Sequence, residues 1–163
     1  MRAVVRGGWI LAPGLRLPVI LGQGGVRHDK REGDGATPVA LLPLRRVLYR
    51  ADRVARPRCA VPVMPLAPED GWCDDPADKR YNQPVTLPYG ARHEALWRTD
   101  GVYDLIGVLG WNDAPVQRSA GSAIFLHVSR PDGAPTQGCI ALPQAELLAL
   151  LGAGLTEIEV EAP

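Results

Sequence analysis

Eighteen glycines and sixteen prolines are spread along a chain of 163 residues, and this punctuation limits the fold more than any other feature. Proline removes a backbone donor, and glycine costs backbone entropy inside regular elements. Here both fall between short apolar runs rather than in one tract. Such a chain reads as many short strands joined by turns, not as a disordered polymer. The expected class is mostly β, with one or two helices on the outside. No repeat, linker or low-complexity tract divides it, so one domain over residues 1–163 is expected.

Strands are predicted at Val4-Val5 and over residues 15–21 and 39–49, with Gly7-Gly8, Pro13-Gly14 and residues 22–25 as turns. Further strands are predicted over 102–109, 122–128 and 155–160. Residues 143–152 form the clearest helix. Leu147, Leu148, Leu150 and Leu151 supply its apolar face, and Gly152 is its expected C-terminal cap. A second short helix is predicted over 93–98, with Leu96 and Trp97 inward. Residues 71–76 read as a loop anchored by Trp72. Pro57, Pro62, Pro65 and Pro68 mark a stiff extended segment. It is either a plain surface crossing or a wall over a binding groove.

The formal net charge is zero, and no basic run or basic-aromatic stripe points to nucleic acid. The apolar stretches are too short and too broken to span a membrane. Residues 1–8 offer no apolar segment or cleavage site of the kind a secretory signal carries. Cysteines 59, 73 and 139 make an odd set. Cys59 and Cys73 either remain thiols or pair, and the loop they would close is worth ~3 kcal/mol in the chain-entropy model. A zinc site from Cys59, Cys73, His28 and His93 lacks the usual ligand spacing, so no metal and no cofactor are expected.

Chemistry concentrates in Ser122 to Pro143, SAIFLHVSRPDGAPTQGCIALP. An apolar strand delivers His127, a Pro/Gly-rich turn follows, and Cys139 emerges after Thr136-Gln137-Gly138. A thiol attacks as its thiolate, and a neighbouring imidazole is the usual means of making one. Glycine before the cysteine lets backbone approach a carbonyl and frees amides for a developing oxyanion. Taken singly, His127 and Cys139 read as core residues. The Pro131-to-Pro135 turn between them can fold the two together.

This His127…Gly138-Cys139 order, with Lys30-Arg31-Glu32-Gly33-Asp34-Gly35-Ala36-Thr37-Pro38 upstream, resembles the L,D-transpeptidase (YkuD-type) catalytic domain over roughly residues 15–160. The resemblance implies a sandwich or barrel-like β fold and an enzyme of the bacterial periplasm or cell envelope. It implies Cys139 as nucleophile, His127 as general base and Gly138 in the oxyanion site. The substrates would be peptidoglycan stem peptides, as acyl donor and as amine acceptor, and carbapenem-type compounds would acylate the same thiol. A monomer is expected.

The family commonly has Ser-His-Gly-Cys, with arginine two positions past the cysteine. Gln137 and Ala141 stand there instead. That departure leaves open a 1,3 rather than a 3,3 crosslink. Arg130 is the candidate to hold a substrate carboxylate, with Thr136, Gln137, Trp111, Asn112 and His93 as further pocket candidates. Asp104 is a candidate to orient a histidine, although a backbone carbonyl serves equally. Hydrolysis in place of transfer would make the protein a carboxypeptidase or amidase. An inert wall-binding module and a metal hydrolase are the readings from other classes.

Overall fold

A computed structural model describes residues 1–163. The first strands are β1 (Arg2–Arg6), β2 (Trp9–Ala12), β3 (Leu15–Pro18), β4 (Val26–Arg27), β5 (Thr37–Pro38) and β6 (Ala40–Tyr49). Next come β7 (Val63–Pro65), β8 (Asp70–Cys73), β9 (Pro84–Thr86), β10 (His93–Ala95) and β11 (Leu105–Leu109). The chain closes with β12 (Phe125–Val128), β13 (Ile140–Leu142), α1 (Gln144–Gly152) and β14 (Glu157–Val160). Mostly β architecture with one helix is thus observed, not two.

One sheet runs in the order β13-β12-β11-β6-β14-β1-β2-β3, with β7 beside β6. Gly7 and Gly8 both take positive φ, 55° and 80°, which suits the tight turn from β1 into β2. Ile20, two residues past β3, exchanges two backbone hydrogen bonds of 2.9 Å with Ala141 of β13. That exchange joins the two ends of the sheet and makes it barrel-like.

Alternation sorts side chains onto two faces. Ala3, Val5, Leu42, Leu105, Leu126, Ile140, Leu142 and Ile158 point into a core of 21 buried residues. Leu147, Leu150 and Leu151 of α1 join it, each worth about 1.5–3 kcal/mol when fully buried. Where Val108 pairs with Arg46 and Leu109 with Leu44, a bulge skips Arg45. Leu44 and Val47 then both face the core, and Arg45 reaches out to Asp113 at 3.0 Å.

The opposite face carries Leu48, Ile106, Val108 and Phe125. It is covered by Trp72 of a second sheet, β10-β8-β9, together with Leu66 just after β7 and Leu96 just after β10. Trp72 therefore lies on a strand, not in the loop expected over 71–76. The expected helix at 93–98 is β10, because His93 to Ala95 pair with Cys73 to Gly71. Partners on β8 outweigh a local helical preference. At the helix end, Gly152 is the last helical residue, and Gly154 takes the left-handed conformation at φ +93°. No helix is long and apolar enough to cross a membrane.

Candidate active site

Strand alternation and register bring Cys139 and His127 to one face. On β12, Leu126 points into the large core, so Phe125 and His127 point toward the small sheet. Ala141 of β13 lies opposite His127 in a parallel pair. Cys139, two residues before Ala141, shares that face and belongs to the second core. The two side chains are diagonal neighbours at the floor of a cavity of 440 Å³. Arg130, Thr136, Gln137, Tyr103, Glu94 and Lys30 also line it.

The imidazole is fixed by backbone. Its Nδ1 lies 2.9 Å from the Val128 carbonyl, which can only accept, so Nδ1 carries the proton and Nε2 keeps a lone pair. The Tyr103 ring meets it edge-on, 5.4 Å between centroids. The Cys139 Sγ donates to the Ala123 carbonyl at 3.2 Å and accepts from the Phe125 amide at 3.4 Å.

The segment before the thiol depends on two threonines. Thr136 Oγ1 donates to the Cys139 carbonyl at 2.8 Å, and Thr37 Oγ1 does so from β5 at 3.4 Å. Gly138 has φ +121°, and a Cβ there would lie 2.7 Å from the Ala36 carbonyl. Glycine is therefore required where the Ala36-Thr37-Pro38 segment packs behind the thiol. The Gly138 amide is engaged by Thr136 Oγ1 at 3.2 Å, whereas the Cys139 amide has no protein acceptor.

A family model for the L,D-transpeptidase catalytic domain, YkuD, matches residues 2–158. The chain belongs to that family. Comparison with curated proteins gives no match, and comparison with solved structures gives none either. The YkuD family acts on cell-wall peptidoglycan stem peptides, which implies an envelope location.

In this YkuD domain both groups rest uncharged. Burial, then the nearby charge of Glu94, pushes the Cys139 thiol up to about 12. Burial also lowers His127 to about 4. The arrangement suits a general base that takes the proton during attack, rather than a preformed thiolate–imidazolium pair.

Of the expected pocket residues, Arg130, Thr136 and Gln137 line the cavity. Trp111, Asn112 and His93 do not. Trp111 Nε1 donates to the Ala120 carbonyl at 3.0 Å, and the Asn112 side chain holds Gln117 and Gly121. Both serve the loop that leads into β12, and that loop's own hydrogen bonds turn them from the cavity. His93 Nδ1 lies 2.8 Å from the Ala91 carbonyl, and its ring packs on Tyr89.

Asp104 does not orient His127. It pairs with Arg53 at 3.1 Å. The proline-rich segment is not a wall over the thiol either. Its β7 extends the main sheet beside β6, and Arg56, Pro57 and Arg58 face α1 in a separate cavity. Cys59 and Cys73 are free thiols, directed to the Val61 carbonyl and to Asp78. No three His, Cys, Asp or Glu side chains are grouped as a metal would need.

Several residues at or behind the site were not singled out from sequence. Glu94 and Tyr103 line the cavity, and the Tyr103 hydroxyl donates to Glu94 Oε1. Asn82 sits behind the thiol, buried and with four hydrogen bonds. Its Oδ1 accepts from Trp72 Nε1 and the Ala123 amide, each at 3.0 Å. Its Nδ2 donates to the carbonyls of Trp111 and Asn112. Asn82 thus holds Ala123, whose carbonyl holds Sγ. Only the positive φ of Asn82, 56°, has a sequence correlate, the tolerance of asparagine for that region.

Proposed function

We propose that the protein is a peptidoglycan L,D-transpeptidase that works through a thioester on Cys139, with His127 as its base. The observation that carries this reading is the thiol and imidazole on one face of a polar-lined cavity, beside an unpartnered Cys139 amide. His127 Nε2 takes the thiol proton as sulfur attacks the carbonyl that links a stem residue to a D-amino acid. The Cys139 amide receives the oxyanion, a contribution of about 2.7–4 kcal/mol where such donors have been removed. The leaving amine departs with the proton from His127, and a thioester remains. An amine of a second stem then displaces the thiol and forms the crosslink.

Ala141 and Arg130 support a non-standard donor. Ala141 leaves a methyl on the cavity floor where the family commonly has an arginine, and Arg130 supplies a cation from the loop after β12. Arg130 is 3.5 Å from exposed Asp132 and is free to turn to a carboxylate. We assign the site to a 1,3 rather than a 3,3 crosslink on these grounds, with Thr136 and Gln137 lining the donor's path. Periplasmic action and carbapenem acylation of Cys139 belong to the same reading.

The test is mass spectrometry of peptidoglycan fragments incubated with the protein and with a Cys139→Ala variant. Crosslinked dimers that need the thiol are expected, with fragmentation placing the bond at a 1,3 position. Shortened monomers alone would mean a carboxypeptidase. Unchanged fragments would mean a wall-binding module.

A further inference from the structure

Three carboxylates line the cavity, and two of them have a cation. Asp74 lies 3.1 Å from the Arg92 guanidinium, and Glu32 lies 3.7 Å from it. Glu94 has no ion pair. Cations nearby are committed elsewhere: Lys30 to Asp34, and Arg98 to Asp100 at 3.1 Å. Glu94 Oε1 accepts from the Tyr103 hydroxyl, and Oε2 has no protein partner. No buried side-chain oxygen in the chain is left unsatisfied, so Oε2 opens into the cavity.

Tyr103 fixes where that carboxylate stands. Its buried ring packs edge-on against both His127 and Phe125, at 5.4 and 5.9 Å. Carboxylate, phenol and imidazole thus follow one another along the cavity that also holds Cys139. Glu94 does not activate the resting thiol: its charge is one of the causes that keep Cys139 protonated. A half-buried carboxylate with no direct ion pair is costly: burial raises its proton affinity, against the Tyr103 hydrogen bond and the charge of Arg98.

We propose that Glu94 is the base of the second half-reaction: it binds the ammonium of the acceptor over acylated Cys139 and removes one proton from it. This inference rests on the thioester reading above. The ammonium gives its first proton to Glu94, and the freed nitrogen lone pair forms a bond to the thioester carbonyl carbon. As the tetrahedral adduct collapses, the carbon–sulfur bond breaks and sulfur leaves with the bonding pair. The second nitrogen proton passes through His127 Nε2 to sulfur and restores the thiol. Glu94 then releases its proton to solvent. Water carries no charge for Glu94 to hold, so the carboxylate favours transfer over hydrolysis.

The experiment uses the full chain, a peptidoglycan-derived disaccharide-tetrapeptide as donor and acceptor, and Glu94→Gln beside wild type. Intact mass follows the adduct on Cys139, and chromatography follows the ratio of dimer to hydrolysed monomer. In Glu94→Gln the adduct is expected to form at least as fast, because a charge that disfavours the thiolate is gone. The dimer-to-monomer ratio is expected to fall about a hundredfold, as for loss of a general base. Hydroxylamine, a weakly basic amine that arrives uncharged, restores transfer. Tyr103→Phe, which keeps the carboxylate, lowers the ratio less.

An unchanged ratio in Glu94→Gln would overturn the proposal. So would slower adduct formation with the ratio intact, which would make Glu94 a donor-binding or structural residue. A wild-type protein that forms no adduct would remove the thioester reading itself, and this inference with it.

Discussion

Replacing His127 with alanine is expected to slow acylation of Cys139 by a stem-peptide donor about a hundredfold to ten-thousandfold. The thiol is buried and held up to about 12, so almost none of it ionises unaided near neutral pH. Only a lone pair beside it can take the proton as the carbon–sulfur bond forms. Wild-type acylation should show an acid limb near pH 4, well below the ordinary imidazole value of 6.5. Above that pH Nε2 is free to accept, and below it the ring is already protonated. Stability follows the same group. Between pH 6.5 and about 4 the unfolded chain binds a proton that the fold refuses, so stability falls as the pH drops through that window. Stopped-flow acylation across pH, for wild type and His127→Ala, checks both parts. A limb at the ordinary imidazole pH would contradict the assignment of the buried ring as base.

Asn82→Ala is expected to destabilise the protein on the scale of a large core truncation and to disturb the thiol as well. Four groups lose their partner at once: the Trp72 indole, the Ala123 amide, and the carbonyls of Trp111 and Asn112. Each buried group left unsatisfied costs about 1–3 kcal/mol, so a net loss of roughly 3 kcal/mol or more follows after partial relaxation. The loop residue Ala123 holds a positive φ of 53° and donates its amide to Asn82. Without Asn82 its carbonyl is no longer fixed against Sγ. Chemical denaturation should show the lower midpoint. Acylation of whatever remains folded should fall as well, which separates positioning of the thiol from stability alone. Asn82→Asp keeps the Oδ1 acceptor but sets a second, buried carboxylate oxygen against the Trp111 and Asn112 carbonyls, so it should be no milder than Asn82→Ala at neutral pH.

The strands and the thiol–imidazole pair were legible because their signals are local. Apolar runs between Gly and Pro turns mark β6, β11 and β12, and a 12-residue interval carries both His127 and Cys139. The parallel register of β12 and β13 then does what the turn between them promised. The helix α1 was legible for the same reason, through its run of leucines. β10 was not, because its strand character comes from β8 and its own residues favour a helix as well. That misreading hid Glu94, whose place in the cavity depends on the second sheet. Asn82 was hidden more deeply: its partners lie 10 to 41 residues away, and nothing beside it in the chain announces them. Trp111 and Asn112 were expected in the pocket and lie behind it, where their carbonyls receive Asn82.

The proposed chemistry begins with acylation of Cys139 by a stem-peptide donor. Intact-protein mass spectrometry of the chain mixed with such a donor at neutral pH, followed by peptide mapping, tests it most directly. A mass increase equal to the donor's acyl part is expected, carried by Cys139 and absent from Cys139→Ala and from free Cys59 and Cys73. A protein that leaves the donor intact and carries no adduct, or one that carries it on another residue, would rule out Cys139 as the nucleophile.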